Sequence, residues 1–322
     1  MGEKPVPPAL PAVMNVFWGT CALPEIALLQ LVIKMVAKYL NLGCGNRYVE
    51  SEAWLNVDFA VRNPRVLAID LRKKLPFHEN YFDLIYHSHV LEHFTCADAK
   101  NLLDECYRIL KPGGIIRIVV PDLENIVREY LHILDEIRSG VDDAQSKYNW
   151  IMLELYDQAV RQTPGGMMLE YLQQQEIPAY DYVLERGGKD VQDMLERVQR
   201  SYSKSRKFNS QWHRLRYYLF WRPKQWLRHF PTQFKHFCAK ILLGKEYDLF
   251  SIIHLRNCGE IHQWMYDAYS LEKLLKNVGF IETQVQTPTN SYLDEWQNFN
   301  LDTEPDGSIY KPNSLYMEAK KP

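Results

Sequence analysis

The amino-acid sequence predicts an α/β protein, a doubly wound and mostly parallel sheet of seven strands interrupted by one large helical insertion. Three observations predict it. Short apolar runs recur between Tyr39 and Val120, most of them closed by glycine, aspartate or a proline–aspartate pair. A segment of helical apolar spacing lies between two of these runs. From Leu123 to Asp267 the alternation disappears, and it returns in the last fifty or so residues. Short apolar strands alternating with helices indicate parallel strands joined by right-handed crossovers.

The elements follow in order. Residues 39–42 form a first strand that stops at Gly43-Cys44-Gly45-Asn46. Residues 54–57 form a second, ending at Asp58, and residues 66–69 a third, ending at Asp70. Residues 83–87 are the fourth. Residues 97–110 have helical spacing at Leu102, Leu103, Cys106 and Leu110, and Lys111-Pro112-Gly113-Gly114 terminates that helix. Residues 115–120 make the fifth strand, ending at Pro121-Asp122. Near the C-terminus Ser270 is the expected N-cap of a last helix. Lys273 stands where a capping-box Glu would, so the cap is expected to be single. Leu271, Leu274, Leu275 and Val278 form its buried face, Gly279 ends it, and residues 280–285 and 314–319 are two closing strands. The expected organisation is an N-terminal extension (1–37), a core (38–123 and 268–322) and a helical insertion (124–267) that caps the core. No internal repeat is present.

Composition bounds the function classes. An apolar fraction of 46% and a net charge of −2 over 322 residues describe an ordinary foldable chain. That charge balance argues against a nucleic-acid enzyme. Six cysteines are scattered without a C-x-x-C pair, so neither a disulfide framework nor a metal site is expected, and a cytoplasmic setting fits. Residues 12–36 are largely apolar, but Glu25, Gln30 and Lys34 interrupt them short of the roughly 20 apolar residues a membrane span needs. With Pro24 in its first turn, this stretch is expected to be a helix docked on the core, or an inessential extension.

The strand ends carry the chemistry. In an open α/β sheet, ligands bind beyond the carboxyl ends of the strands, where the chain order reverses. Gly43 and Gly45, flanking Cys44, let backbone approach a bulky ligand. Asp58 is placed to accept from ribose hydroxyls, and Asp70 from an adenine amino group with Leu71 beside the ring. The plainer alternative is that both aspartates cap the turns that follow. A nicotinamide dinucleotide would need a third glycine at G-x-G-x-x-G, and that position is Tyr48.

N-L-G-C-G-N (residues 41–46), W-L-N-V-D (54–58), D-L-R-K-K-L-P-F (70–77), H-V-L-E-H (89–93) and L-K-P-G-G (110–114) resemble the motifs of class I S-adenosylmethionine-dependent methyltransferases. They are most similar to a bacterial subgroup with a short glycine loop and a V-L-E-H segment. The resemblance covers residues 38–122, and residues 266–320 in outline. It implies a Rossmann-like seven-stranded sheet whose last strand is antiparallel, and S-adenosyl-L-methionine as cofactor. It also implies methionine contacts at Gly43, Cys44 and Gly45, ribose at Asp58, adenine near Asp70 and Leu71, and His89 lining the sulfonium. One departure is Asn41, where the family often has an acidic residue.

An acceptor hydroxyl gains from a nearby base, and histidine is suited to that near neutral pH. His93 and His89 follow the fourth strand, and His262 lies in G-E-I-H-Q-W-M-Y-D (259–267); these three are the catalytic candidates. In the same segment Trp264 and Tyr266 are placed to stack on a sugar ring or planar acceptor, unless the segment is simply a packed hinge. Similar H-x-W-M-Y-D segments occur in the subgroup named above. Residues 201–245 are rich in Lys, Arg and aromatic residues and contain no Asp or Glu. They suit a lid, an anionic membrane surface or a phosphorylated glycan precursor. No N/D-P-P-Y/F/W motif follows the fourth strand, where the chain has His87-Ser88-His89-Val90. The expected function is therefore O-methylation of a small molecule, glycan or glycan precursor. The alternative from another class is a cofactor-binding scaffold without catalysis, or a methyltransferase-like protein peripheral to a membrane.

Overall fold

The computed structural model describes residues 37–59, 63–207, 239–242, 244–247, 256 and 259–322, with the side chains of 201–207 and 245 left aside. The expectations for residues 1–36, and for most of 201–245, lie outside the described residues. The chain divides into two compact units. One, Met1–Lys34 with Arg200–Ser251, contributes helical backbone and a 3-10 turn at Gly244–Glu246. The other, Met35–Gln199 with Ile252–Pro322, carries the sheet and all that follows. Among the described residues no helix is long and apolar enough to cross a membrane.

The strands are β1 (Tyr39–Leu42), β2 (Trp54–Asp58), β3 (Val66–Ala68), β4 (Phe82–Ser88), β5 (Leu110–Pro121), β6 (Ile281–Gln286) and β7 (Ser314–Lys320). They form one seven-stranded sheet in the order β3-β2-β1-β4-β5-β7-β6. The first five strands pair in parallel, and β7 runs antiparallel to both β5 and β6. The chain order reverses between β1 and β4. Leu42 stands in register with both Val57 and His87, so the chain leaving β1, β2 and β4 emerges on one edge.

Two expected boundaries are corrected. Lys111-Pro112-Gly113-Gly114 does not terminate the helix; α1 (Cys96–Ile109) ends when Leu110 turns extended at φ −77° and ψ 140°, and β5 already includes those four residues. Gly113 N donates to Lys321 O and Lys321 N to Gly114 O, so the stretch folds along the chain's end. Ser270 is not the N-cap of the last helix, α6 (Ala268–Val278). Asp267 is the cap and Ser270 is the third helical residue; each side chain bonds the other's backbone N–H, so the box is reciprocal. The third strand also stops two residues short of Asp70. Gly279, at φ 114°, closes α6 as expected.

On one sheet face α1 packs with α6, burying Leu102, Leu103, Cys106, Leu271 and Leu275. The other face is built differently. The crossover from β1 to β2, residues 43–53, contains no helix. Cover comes instead from the long excursion between β6 and β7, residues 287–313. Its Trp296 and Leu301 pack on Trp54, Leu84, Tyr86, Val119 and Tyr316 of the sheet. Arg117, fully buried on β5, holds this excursion. Its five N–H groups reach Asp302, Glu318 and the carbonyls of Asn290 and Thr287, all at 2.7–2.8 Å, and its guanidinium lies 4.5 Å from the Trp296 ring centre. Arg47, in the helix-less crossover, clamps the same excursion through Leu301 O, Asn300 O and Glu304.

The insertion is helical among its described residues. Asp122 caps α2 (Leu123–Arg138), accepting from Glu124 N and Asn125 N. Then come α3 (Ala144–Met152), a π turn (Leu153–Asp157), α4 (Gly166–Leu172) and α5 (Tyr180–Lys207). Trp150, Met168, Tyr171, Leu172, Val183, Val191 and Leu195 form its core. α5 breaks at Gly188 (φ 56°, ψ −145°). A Cβ there would sit 2.4 Å from Pro312, so the break admits the end of the β6–β7 excursion. Asn313 Nδ2 then donates to Arg186 O, and Lys311 lies 3.6 Å from Asp190.

Candidate active site

The carboxyl edge of the sheet holds the residues expected to bind the cofactor. Gly43 (φ 63°) and Gly45 (φ 55°) are both left-handed. A Cβ on Gly43 would collide with Val90 at 2.5 Å, whereas nothing lies within 4 Å of a Cβ position on Gly45. The first glycine lets the loop pack on the end of β4, and the second leaves open space in front of the backbone. Asp58 Oδ2 accepts from Gly45 N at 2.8 Å, which ties the glycine loop to the end of β2. Cys44 is buried and its thiol is pushed up to about 12 by burial, so this residue offers a ligand its backbone, not a thiolate. Buried Asn41 donates to Arg47 O and Asn56 Oδ1, holding the loop from beneath. Asp70 accepts from Arg72 at both oxygens, and burial, which would raise its carboxyl, is outweighed by Arg72, which lowers it. Asp70 therefore does cap the turn that follows it. Leu71 stands half-buried beside it. The open backbone at Gly45 and the carboxylate of Asp58 beside it fit a nucleoside-linked amino acid such as S-adenosylmethionine.

Beyond β4 the chain makes a tight corner. His89 is left-handed at φ 52°, an uncommon conformation for a residue with a Cβ. A single 3-10 turn, Leu91–His93, follows. This corner buries Glu92 completely among histidines. His89 Nδ1 lies 3.2 Å from Glu92 Oε1 and His262 Nε2 lies 3.9 Å from it, yet neither Glu92 oxygen accepts a hydrogen bond of good geometry. His93 and His262 meet edge to face, with ring centres 4.9 Å apart. His93 Nδ1 donates to Ile261 O at 3.1 Å, which leaves Nε2 as the nitrogen with a free lone pair. His89 Nε2 meets Ser314 Oγ at 3.0 Å.

The segment bearing His262 is stitched onto this corner. Gln263 N and Trp264 N both donate to Glu92 O, Gln263 Nε2 donates to His93 O, and His262 N donates to Gln158 O. Burial pushes His262 down to about 3 and His87 down to about 4, and it lowers His89 as well. Burial thus favours the neutral imidazole at all three positions.

Above this corner lies a cavity of about 390 Å³. His89, His93, His262, Pro121 and Ser314 form its sheet side. Ile126, Trp150, Met168, Val191 and Met194 come from the insertion, with Glu154, Arg161, Arg186, Asp190 and Lys311 as charged groups at the wall. Most of those charges are paired: Arg186 with Glu154, Lys311 with Asp190, Arg161 with Asp157 and, at 3.6 Å, Glu260. The structure thus brings His89, His93 and His262 to one wall. Trp264 and Tyr266 are not among the lining residues: Trp264 is half-exposed, and Tyr266 is buried, bridging to Asp122 at the insertion's exit.

Sequence reasoning missed the carboxylate at the centre. Glu92 lies inside the H-V-L-E-H string, but only the segment 261–264, folding back from about 170 positions away, buries it. It also missed Arg161, Asp190 and Lys311, which no local motif distinguishes. No metal was expected, yet one donor atom each from Glu92, His93 and His262 lies within 4.8 Å of the other two.

Comparison with known proteins bears on the core. Residues 50–118 match the methyltransferase domain family. A ubiquinone/menaquinone biosynthesis C-methyltransferase of Vibrio cholerae is 30% identical over 105 residues, which is 30% of this chain and 40% of that protein. The chain thus spans well under half of that relative's length. An uncharacterized methyltransferase of Synechocystis is 41% identical over 49 residues, 15% of this chain and 23% of the relative. Among solved structures, a SAM-dependent methyltransferase from Archaeoglobus fulgidus aligns over 95% of this chain and 97% of its own, at 12% identity and a TM-score of 0.34. Residues 50–118 thus match a methyltransferase domain, and they lie within a seven-stranded sheet whose last strand in the chain runs antiparallel to its neighbours.

Proposed function

We propose that the protein transfers the methyl group of S-adenosylmethionine to an oxygen of a small molecule or glycan precursor held under the inserted helices. One observation carries this reading: the cavity of about 390 Å³ lies between the insertion and His89, His93 and His262, at the end of the sheet where the cofactor binds. Its size is in the range of small-molecule sites, roughly 300–1,000 Å³.

When bound, the cofactor supplies an already activated methyl group. The chain's residues do the rest. Gly43, Gly45 and Asp58 hold the donor at the ends of β1 and β2. The apolar wall of Ile126, Trp150 and Met168 excludes water and fixes the acceptor. Alignment of this kind is worth up to roughly 7–11 kcal/mol. His93 brings the one imidazole lone pair that its own hydrogen bond leaves free, and His262 and His89 fix the corner around it.

The test incubates full-length protein with methyl-labelled cofactor and fractionated extract, then locates the label by carbon NMR. An O-methyl product supports the reading, and label on carbon would redirect it toward the chemistry named for the Vibrio cholerae relative. His93→Ala should lower kcat by about 10²–10⁴-fold while cofactor affinity, measured by calorimetry, stays within twofold or so. Cofactor binding with no labelled product in any fraction would favour the scaffold reading instead.

A further inference from the structure

The cluster at the floor of the cavity is built like a metal site. Glu92 is fully buried and both its oxygens lack a hydrogen bond of good geometry, although nearly all buried polar atoms in folded proteins have one. Two imidazoles stand within reach, and the three donor atoms lie within 4.8 Å of one another. Neighbouring groups fix the orientation of these side chains. The Ile261 carbonyl accepts a hydrogen bond from His93 Nδ1–H and so fixes the tautomer that leaves Nε2 free, and His89 Nδ1 lies 3.2 Å from Glu92 Oε1. Residues 89–93 spell H-x-x-E-H, a spacing that binds zinc in some metallopeptidases. Here His89 is left-handed and Leu91–His93 form a 3-10 turn, so Glu92 and His93 converge with His262 instead.

We propose that Glu92, His93 and His262 bind one divalent transition-metal cation. Two imidazoles with one carboxylate suit zinc, iron(II) or cobalt(II) better than magnesium or calcium, which prefer all-oxygen shells. Three protein ligands leave a coordination position vacant, as in catalytic rather than structural zinc sites. His93 and His262 both line the cavity, so an oxygen of the acceptor can take that position. The His93 lone pair then serves as a ligand, and the cation would lower the pKa of the acceptor hydroxyl so that its proton passes to water, the oxygen takes the methyl group and S-adenosylhomocysteine leaves. This last role rests on the methyl-transfer reading; the binding itself does not.

The test uses untagged full-length protein, stripped with EDTA and titrated with Co²⁺ alone. One cobalt per chain is expected, with the visible absorption bands of an imidazole- and carboxylate-bound ion. E92Q and the conservative H262N should each weaken binding by more than the roughly 10–100-fold that outer-shell changes cost. H132A, at an exposed position on α2, should bind as the parent does. Circular dichroism of each variant separates lost binding from lost fold. Absence of stoichiometric binding, or equal binding by the parent and an E92Q/H262N double variant, would overturn the proposal. Methyl transfer that survives EDTA sinks the metal role and leaves the methyltransferase reading intact. Stoichiometric cobalt binding with no methyl transfer would do the reverse.

Discussion

Two of the fully buried charged groups among the described residues, Arg117 and Glu92, are treated in opposite ways. Arg117 in mid-sheet uses all five of its N–H groups, on two carboxylates and two carbonyls, and lies over an indole ring. Glu92, at the end of β4, has three imidazoles around it and no good hydrogen bond. Burying a charge is costly unless it is paired and bonded. The satisfied one therefore serves architecture, attaching the β6–β7 excursion to a sheet face that lacks its helix. The unsatisfied one marks a place where something else is meant to bind.

The sharpest way to break this contrast is to remove each charge in turn. Arg117→Met leaves Asp302 and Glu318 buried without a cation, and should destabilise the fold by about 3–5 kcal/mol in urea unfolding. A loss below about 1 kcal/mol would mean that the network is not holding the excursion. Glu92→Gln should behave in the opposite sense. In EDTA its unfolding midpoint should stay within about 1 kcal/mol of the parent, because no good hydrogen bond is lost. Its methyl transfer should fall by roughly 100-fold, about 2.7 kcal/mol. Large instability with normal turnover would erase the distinction between the two centres.

Two further substitutions fill in the scale between them. Asp58 accepts from Gly45 N and so joins the end of β2 to the glycine loop. Asp58→Ala should weaken cofactor binding by about 1.5–3 kcal/mol, the range for a hydrogen bond to a charged group, as read by calorimetry. Arg47→Ala removes the second clamp on the excursion, at a partly solvated site. Its cost should be smaller than that of Arg117, about 1–2 kcal/mol in the same unfolding assay.

How much of this was legible in the sequence follows from the range of the forces involved. The strands were legible because each is a local apolar run with a local stop, and Gly43, Gly45 and Asp58 fell where the run ends predict. The last helix began three residues early because Asp267 and Ser270 both suit a cap, and only the folded backbone shows that they serve each other. The Lys111–Gly114 turn looked like a helix stop because glycine and proline mark strand irregularities equally well. The excursion over the bare sheet face was not legible at all: Trp296, Phe299 and Leu301 follow no period, and their partners lie over 200 positions away on β2 and β4. The histidines of the site could be read from H-V-L-E-H and H-Q-W-M-Y-D. That those two strings embrace one carboxylate could not.

The break in α5 at Gly188 also bears on how this enzyme can change over evolution. Through it, residues 310–313 reach into the insertion, and the next residue, Ser314, holds His89. On the proposed function, the wall that would select an acceptor and the corner that would meet it therefore share one continuous stretch of chain. A new specificity cannot be acquired by exchanging the inserted helices alone. A transplantable unit would comprise residues 123–199, 259–267 and 310–314 together, three separate pieces of sequence inherited as a single part.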